Sequence, residues 1–229
     1  MRRRAQPPAA VPVPFDPASA WSARRVLGLA PAAVARDMAA HGVTVSAPQV
    51  IAWESGELLP GERELVALAR ALWCTPGQLM GGRAMSIRDH RLALELPQEE
   101  LARRLGLSPR VYAQLESAPR WEGDADQTYL LAQALNLTPY GLMTATGRED
   151  ELKEVLQRAV DGRWQSQVPV VCRMIPTLHP DDVGYVLQVI HDENQASSAM
   201  WGGTAQSDEE TGGPGPQTPA ERFWSLLSG

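Results

Sequence analysis

The chain has 229 residues, of which 44% are hydrophobic and 21% charged, enough for one to three small domains with cores of their own. Its formal net charge of −6 argues against a protein that coats nucleic acid non-specifically, because such proteins depend on a large excess of positive charge. Cys74 and Cys172 cannot make a disulfide framework, and no run approaches the roughly 18 apolar residues of a membrane span, so we expect a cytoplasmic protein that does not enter a membrane.

The first 18 residues are rich in Pro and Ala and contain Arg2, Arg3 and Arg4. This composition predicts a flexible basic arm over residues 1–18. Residues 1–25 carry five Arg and one Asp, a formal charge of +4, so this end of the chain could meet phosphate groups. Two interpretations stay open, a solvated tail and a phosphate-binding arm.

Helical periodicity then runs through residues 19–82 and 86–147, and the two stretches repeat one pattern. LARALWCTPGQLM at 68–80 and LAQALNLTPYGLM at 131–143 share the frame Leu-Ala-x-Ala-Leu-x-x-Thr-Pro-x-x-Leu-Met. The chain therefore contains two copies of one helical unit. The first copy carries five extra residues around positions 39–45.

In the second copy, residues 96–116 predict two short helices joined by a tight turn. Gly106 suits the left-handed conformation that ends the first helix, Ser108 can cap the second helix, and Pro109 fits its first position. The apolar positions that we expect to face the core are Leu101, Ala102, Leu105, Val111 and Leu115.

The first copy has a longer turn between its corresponding helices. Gly42 ends the first of them, Ser46 caps the second, and VIAWESGELLP follows at 50–60. The second copy lacks the Gly that stands two residues after the closing Glu of the first copy. We therefore expect the chain to leave its second helix differently, over residues 117–124.

Together these features resemble the helix-turn-helix proteins of the Cro and phage-repressor type, or XRE family, in which the second helix lies in the DNA major groove. The segment 50–60 is the strongest single signature, and the resemblance covers residues 19–147. It implies an all-α fold with two tandem five-helix domains, at 19–82 and 86–147. It also implies double-stranded DNA as a partner and requires no cofactor, and the basic arm could then follow the DNA backbone or minor groove.

The resemblance assigns DNA-facing positions in both copies. In the second copy they are Gln98, which matches the family's phosphate-binding Gln, and Ser108, Pro109, Arg110, Ala113 and Gln114. Arg can bind guanine O6 and N7 together, and Gln can do the same with adenine N6 and N7. In the first copy they are Ser46, Ala47, Gln49 and Ala52, with Pro48 and Ile51 on the same surface. The first copy is therefore expected to read bases weakly or to bind protein. For the second helix of each copy, the alternative to DNA binding is a face that contacts only solvent.

In this family an Arg of the first helix commonly pairs with the Glu that closes the recognition helix. The matching pairs are Arg24 with Glu54 and Arg91 with Glu116. We expect these Arg residues to be structural, the alternative being phosphate binding. Trp53 and Trp73 are expected in the core rather than in a ligand cage, and the His residues have no metal-ligand spacing.

After Gly147 the composition becomes acidic. Residues 148–229 carry six basic and thirteen acidic side chains, a formal charge of −7. Apolar stripes at 152–164 and 183–190 predict a helical module over 148–197 that packs on the second copy, on another subunit, or on both. A disordered acidic linker, 198–219, should follow.

The last segment, 220–229, is an apolar peptide. Its apolar residues at helical spacing are Phe223, Trp224, Leu226 and Leu227. A fraying end is one interpretation, and a partner-binding knob that docks on its own assembly or on another protein is the other.

No nucleophile and base grouping, Walker loop, dinucleotide turn or metal cluster occurs, so we do not expect an enzyme. The leading interpretation is a sequence-specific transcriptional regulator that is associated with the nucleoid of a bacterium. Lys153 is the one Lys among 21 basic residues, and this preference for Arg indicates codon bias in a GC-rich genome. We expect a homodimer, because a single weakly charged chain offers few phosphate contacts. The alternatives are a protein interaction module and an antitoxin-like regulator that binds a partner through the C-terminal peptide. A measurement of DNA affinity would distinguish the interaction module from both kinds of regulator, because only the regulators should bind DNA.

Overall fold

The computed structural model describes residues 13–82, 84–201 and 217–228, which are helical and contain no β-strand. The predicted all-α fold class is thus confirmed. The chain divides into two compact units, Met1–Pro97 and Gln98–Gly229. Most of the predicted basic arm and most of the predicted acidic linker lie outside the described residues.

The described residues of the first unit form six helices: α1 (Pro17–Val26), α2 (Pro31–Ala40), α3 (Ala47–Glu54), α4 (Glu62–Ala71), α5 (Pro76–Leu79) and α6 (Ile87–Ala93). Pro occupies the first turn of α1, α2, α3 and α5, where its missing N–H would have had no partner in the helix. The side chains that form the core come mainly from α2, α3 and α4, and the larger buried ones from these helices include Val34, Met38, Val50, Trp53, Leu65 and Leu68. Trp53 is 2% exposed, so its predicted place in the core is confirmed.

Helix α6 packs within the first unit, although it begins the second sequence repeat. Leu92 belongs to the core of this unit, and a Cβ on Gly77 would lie 3.3 Å from the Ala93 Cβ. Ion pairs add to this packing: Arg88 pairs with Glu62, and Arg70 Nε donates to Glu95 Oε2 at 2.9 Å. The compact unit therefore ends at Pro97, whereas the predicted first domain ends at residue 82.

The second unit contains the remaining helices: α7 (Gln98–Arg104), α8 (Pro109–Ser117), α9 (Ala125–Ala134), α10 (Pro139–Ala145), α11 (Glu149–Asp161), α12 (Val168–Met174), α13 (Pro180–Trp201) and α14 (Pro219–Leu227). A short 3-10 turn, Trp164–Ser166, precedes α12. The stripe of α11 is buried against α13 and α14, while α12 contacts α9 and α10 contacts α11. The C-terminal module thus contacts helices of the second copy, which is one of the packing arrangements expected for it, and packing on another subunit stays a prediction.

The five extra residues of the first copy lie in two places. Helix α2 has 10 residues where α7 has 7, and the turn 41–46 has two residues more than the turn 105–108. Gly42 and Gly106 both have positive φ, at 78° and 67°, which a residue with a Cβ rarely adopts. The longer segment therefore keeps the same kind of turn and adds three residues to the helix before it.

Two apolar residues expected in the core are exposed instead. Trp73 is 88% exposed, because α4 ends at Ala71 and the chain turns at Trp73 with φ at 57°. Val111 is 42% exposed while its neighbour Tyr112 is fully buried. Tyr112 can be buried because its hydroxyl donates to Glu116 Oε1 at 2.7 Å.

Candidate nucleic-acid interface

Helices α7 and α8 form the predicted helix, turn and helix of the second copy. Gly106, with φ at 67°, ends α7, and the Ser108 hydroxyl accepts a hydrogen bond from the Val111 N–H at 3.3 Å. Leu101, Leu105 and Tyr112 are buried. These contacts join the two helices and fix which face of α8 is exposed.

The exposed face of α8 carries the two predicted base readers. Arg110 and Gln114 are exposed, Pro109 is also exposed, and Ala113 is half-buried. No hydrogen bond or ion pair engages the side chain of Arg110 or of Gln114 within the described part of the chain. Both side chains are therefore available to an external partner without breaking a contact of the protein.

Two cations of α7 are paired within their own helix. Arg103 pairs with Glu100, and Arg104 Nε donates to Glu100 Oε1 at 3.0 Å. Glu100 therefore offsets part of the positive charge of α7. The free guanidinium of Arg110 is the distinguishing feature of α8.

Gln98, the predicted phosphate ligand, contacts the C-terminal end of α8. Its Nε2 donates to Glu116 Oε2 at 2.7 Å, while the Tyr112 hydroxyl donates to the other carboxylate oxygen. The start of α7 is thereby joined to the end of α8. A primary amide has two N–H donors, so the phosphate contact stays a prediction for the second N–H.

The Arg24 and Glu54 side chains form a bidentate pair in the first unit. Arg24 Nε lies 2.6 Å from Glu54 Oε1, and Nη2 lies 2.7 Å from Oε2. Arg24 Nη1 also donates to the Leu29 carbonyl oxygen at 2.8 Å. The hydrogen bonds that Arg24 donates to the Glu54 carboxylate raise the pKa of Arg24, and burial opposes this effect. These contacts connect α1, the following turn and α3, so Arg24 has its donors directed inward.

Arg91 repeats part of this arrangement. It is buried, and its Nη1 donates to the Leu96 carbonyl oxygen at 3.1 Å, as Arg24 does to that of Leu29. Its Nη2 also lies 3.7 Å from Glu62 Oε2. The predicted pair of Arg91 with Glu116 joins residues of the two units and stays a prediction.

The exposed face of α3 differs from that of α8. The Gln49 side chain accepts a hydrogen bond from the Ser46 N–H at 2.9 Å, and the Ser46 hydroxyl caps the Gln49 N–H. The side-chain oxygen of Gln49, a residue predicted to face DNA, is therefore engaged in the cap of α3. The rest of this surface consists of exposed Pro48 and Ile51 with half-buried Ala47 and Ala52.

Trp121 determines how the chain leaves α8, which the sequence pattern did not reveal. Its ring is 3% exposed, its Nε1 donates to the Thr128 hydroxyl at 2.9 Å, and its backbone N–H donates to the Thr146 carbonyl oxygen. Gly147 approaches so closely that a Cβ there would lie 2.4 Å from the Pro119 carbonyl oxygen. The sequence offered one indication of this buried residue, a single Trp within a segment predicted to be a loop.

The site is a helix surface rather than an enclosed pocket. Among the described residues, no group of three or more His, Cys, Asp and Glu could hold a metal ion. Within the same ranges, no helix combines the length and the apolar character that crossing a membrane requires. The chemistry available at this surface is that of hydrogen bonds from Arg110 and Gln114.

Comparison with known proteins adds one match. Residues 87–142 match the family model described as "Helix-turn-helix", a range that begins with α6 and ends within α10. Among curated proteins and solved structures, none matches the chain. The match does not include residues 19–82, so the nature of the first copy stays a prediction. The match at residues 87–142 therefore supports a DNA-binding regulator with a helix-turn-helix domain similar to those of the XRE family.

Proposed function

We propose that this protein is a sequence-specific transcriptional regulator that reads bases mainly with α8. The observation that carries the proposal is the pair of exposed side chains Arg110 and Gln114, which have no partner among the described residues. They lie on α8, the second helix of the helix-turn-helix motif within the matched range. In this motif the second helix enters the major groove.

The two readers are placed to act together. They are four residues apart, so they lie one above the other on the same helix face. Arg110 is suited to guanine and Gln114 to adenine, and each good bidentate pair gives about 1 to 3 kcal/mol of discrimination. Exposed Val111 adds an apolar group that can contact a thymine methyl group.

We further propose that residues 19–82 are a second domain of the same type with little base readout. The shared sequence frame, the positive φ of Gly42 and Gly106 and the related contacts of Arg24 and Arg91 support the common architecture. Its α3 offers alkyl groups to the outside, while the Gln49 oxygen is bound by the cap.

The proposal includes a homodimer on DNA. The net charge of −6 and the single reader per chain limit phosphate contacts, and two chains would double them. The binding site should then contain an inverted or direct repeat. Light scattering of the free and the DNA-bound protein tests this, and a monomer in both states would contradict it.

The main test is capture of genomic DNA fragments by the full-length protein, followed by footprinting of the enriched fragments. We expect discrete protected sites, and binding should weaken as salt rises because counterions are released from phosphates. If no fragment is retained above a non-specific background at low salt, the proposal is wrong.

A further inference from the structure

The carboxylate of Glu116, in the last turn of α8, accepts hydrogen bonds from side chains of both helices of the motif. Gln98 Nε2 donates to Glu116 Oε2 at 2.7 Å, and the Tyr112 hydroxyl donates to Oε1 at 2.7 Å. Gln98 is the first residue of α7, while Tyr112 lies one turn before Glu116 and is fully buried. With a bond at each oxygen, the carboxylate cannot turn about its terminal bond without breaking both. The Tyr112 hydroxyl therefore helps to determine where Oε2 meets α7.

The Gln98 amide is oriented by this carboxylate. A primary amide has an NH₂ end with two donors and an oxygen end that accepts, whereas an ionised carboxylate accepts only. The NH₂ end is therefore the end that can bond to Glu116, and the second N–H of Gln98 remains as a donor. The first helix of this motif crosses the DNA backbone, and Gln side chains are among the groups that contact phosphate oxygens.

The first copy offers an internal comparison, because it lacks both donors. At the positions of Gln98 and Tyr112 it has Pro31 and Val50, neither of which can donate from its side chain. The carboxylate that closes α3 accepts from Arg24 at both oxygens, at 2.6 Å and 2.7 Å. Helices α2 and α3 nevertheless form the same kind of turn. The Tyr and Gln donors are thus not needed to build such a helix pair, and they occur together in the copy that carries the exposed readers.

We propose that Tyr112 is a positioning residue for a phosphate contact. Its hydroxyl fixes the Glu116 carboxylate, and the carboxylate holds the Gln98 amide with its second N–H toward a phosphate oxygen. This inference rests on the proposed function, since it needs α8 in the major groove. A phosphate contact carries no direct sequence information. Tyr112 therefore contributes to affinity for DNA of any sequence, whereas Arg110 contributes to the preference among sequences.

Tyr112→Phe in the full-length protein removes the hydroxyl and keeps the buried ring. Without DNA, the side-chain amide protons of Gln98 should exchange faster with solvent and change chemical shift in this variant, as observed by ¹⁵N-edited NMR. The amide signals are assigned by their loss in Gln98→Ala. Tyr185→Phe, the same change at a side chain that is 65% exposed, is the matched control and should leave these signals unchanged. Unchanged Gln98 signals in Tyr112→Phe would overturn the inference.

DNA binding separates positioning from a purely structural role. Tyr112→Phe and Gln98→Ala should each weaken binding about three- to tenfold, the factor expected for one lost hydrogen bond, on the footprinted site and on an unrelated duplex alike. The double variant should bind no more weakly than either single variant, because both changes remove the same contact. If Tyr112 acted only on the fold, Tyr112→Phe would weaken binding further in the Gln98→Ala background. That additive result, or a loss confined to the footprinted site, would overturn the inference.

Failure of the positioning role and failure of the proposed function give different results. A wild-type protein that binds no DNA would contradict the proposed function and the phosphate contact with it. A wild-type protein that gives footprints, together with a Gln98 amide that does not respond to Tyr112→Phe, would contradict the positioning role alone.

Discussion

Helices α3 and α8 occupy corresponding places in the two copies and present different surfaces. Both begin at a Ser cap, and both bury one large side chain at the same position, Val50 in α3 and Tyr112 in α8. On the outside, α8 offers Arg110 and Gln114, whereas α3 offers Pro48 and Ala52 at the matching positions. The architecture is thus carried by caps and buried residues, and the capacity to read bases depends on a few exposed ones.

Substitution of the buried side chain of α8 should have the largest effect, and this effect should be on the free energy of unfolding. Tyr112→Ala removes a fully buried ring and a hydrogen bond to Glu116, and should lower the free energy of unfolding by about 3 to 5 kcal/mol. Val111→Ala, one residue away but exposed, should stay within about 0.5 kcal/mol. Denaturant unfolding of both variants measures the difference. Similar losses from the two would show that the register of α8 is wrong.

The Arg110→Ala variant tests whether the exposed face of α8 recognises bases. Loss of a bidentate contact to guanine should weaken specific binding by about 1 to 3 kcal/mol and relax the preference at one position. Arg103→Ala removes the same charge from a residue paired with Glu100 and serves as the control. Competition binding on the footprinted site compares the two. An unchanged footprint and affinity for Arg110→Ala would reject α8 as the main reader.

The comparison can also be inverted by giving α3 the readers of α8. Pro48→Arg with Ala52→Gln places the same two residue types at the matching positions. If α3 can approach DNA, the double variant should gain about 1 kcal/mol of affinity for selected sequences and extend the footprint. Arg36→Ala in the wild type, an exposed change on α2, reports what loss of a surface charge alone does. No gain in repeated site selection would indicate that the first copy does not face DNA.

The smallest effect concerns the loop after α8, which leaves its helix in an extended conformation at Ala118, whereas α3 ends in a helical conformation at Ser55. Hydrogen bonds from Arg148 lower the pKa of Glu151, partial burial opposes them, and the charges of Arg148 and Arg120 add to the lowering. A carboxylate with a lowered pKa stabilises the fold fully above its ordinary value of about 4.3 and loses this contribution as pH falls through the lowered value.

Hydrogen exchange of residues 118–124 should therefore rise on acidification in the wild type. In Glu151→Gln the protection of this loop should already be reduced at neutral pH and should change less on acidification. If acidification increased hydrogen exchange of the loop equally in the two proteins, Glu151 would not be the group that stabilises the loop. Lys153→Gln, an exposed change on the same helix, controls for the loss of charge.

Much of this fold followed from local sequence signals. The Gly and Ser residues at the turns, the Pro residues at helix starts and the repeated frame act through near neighbours, so they predict helices and their ends without knowledge of the partner surfaces. The family resemblance assigned Arg110 and Gln114 to the outer face of α8, and it also implied the pairing of Arg24 with Glu54.

The tertiary structure decided which apolar side chains are buried. Val111 and Tyr112 are adjacent and both apolar enough for a core, and only packing and a partner for the Tyr112 hydroxyl select one of them. Trp73 follows a helix end and turns outward, whereas Trp121 lies in a loop and turns inward to meet Thr128. Periodicity describes one helix at a time, but burial is a property of the surfaces that several helices form together, and those surfaces include the one that buries Phe223 of α14.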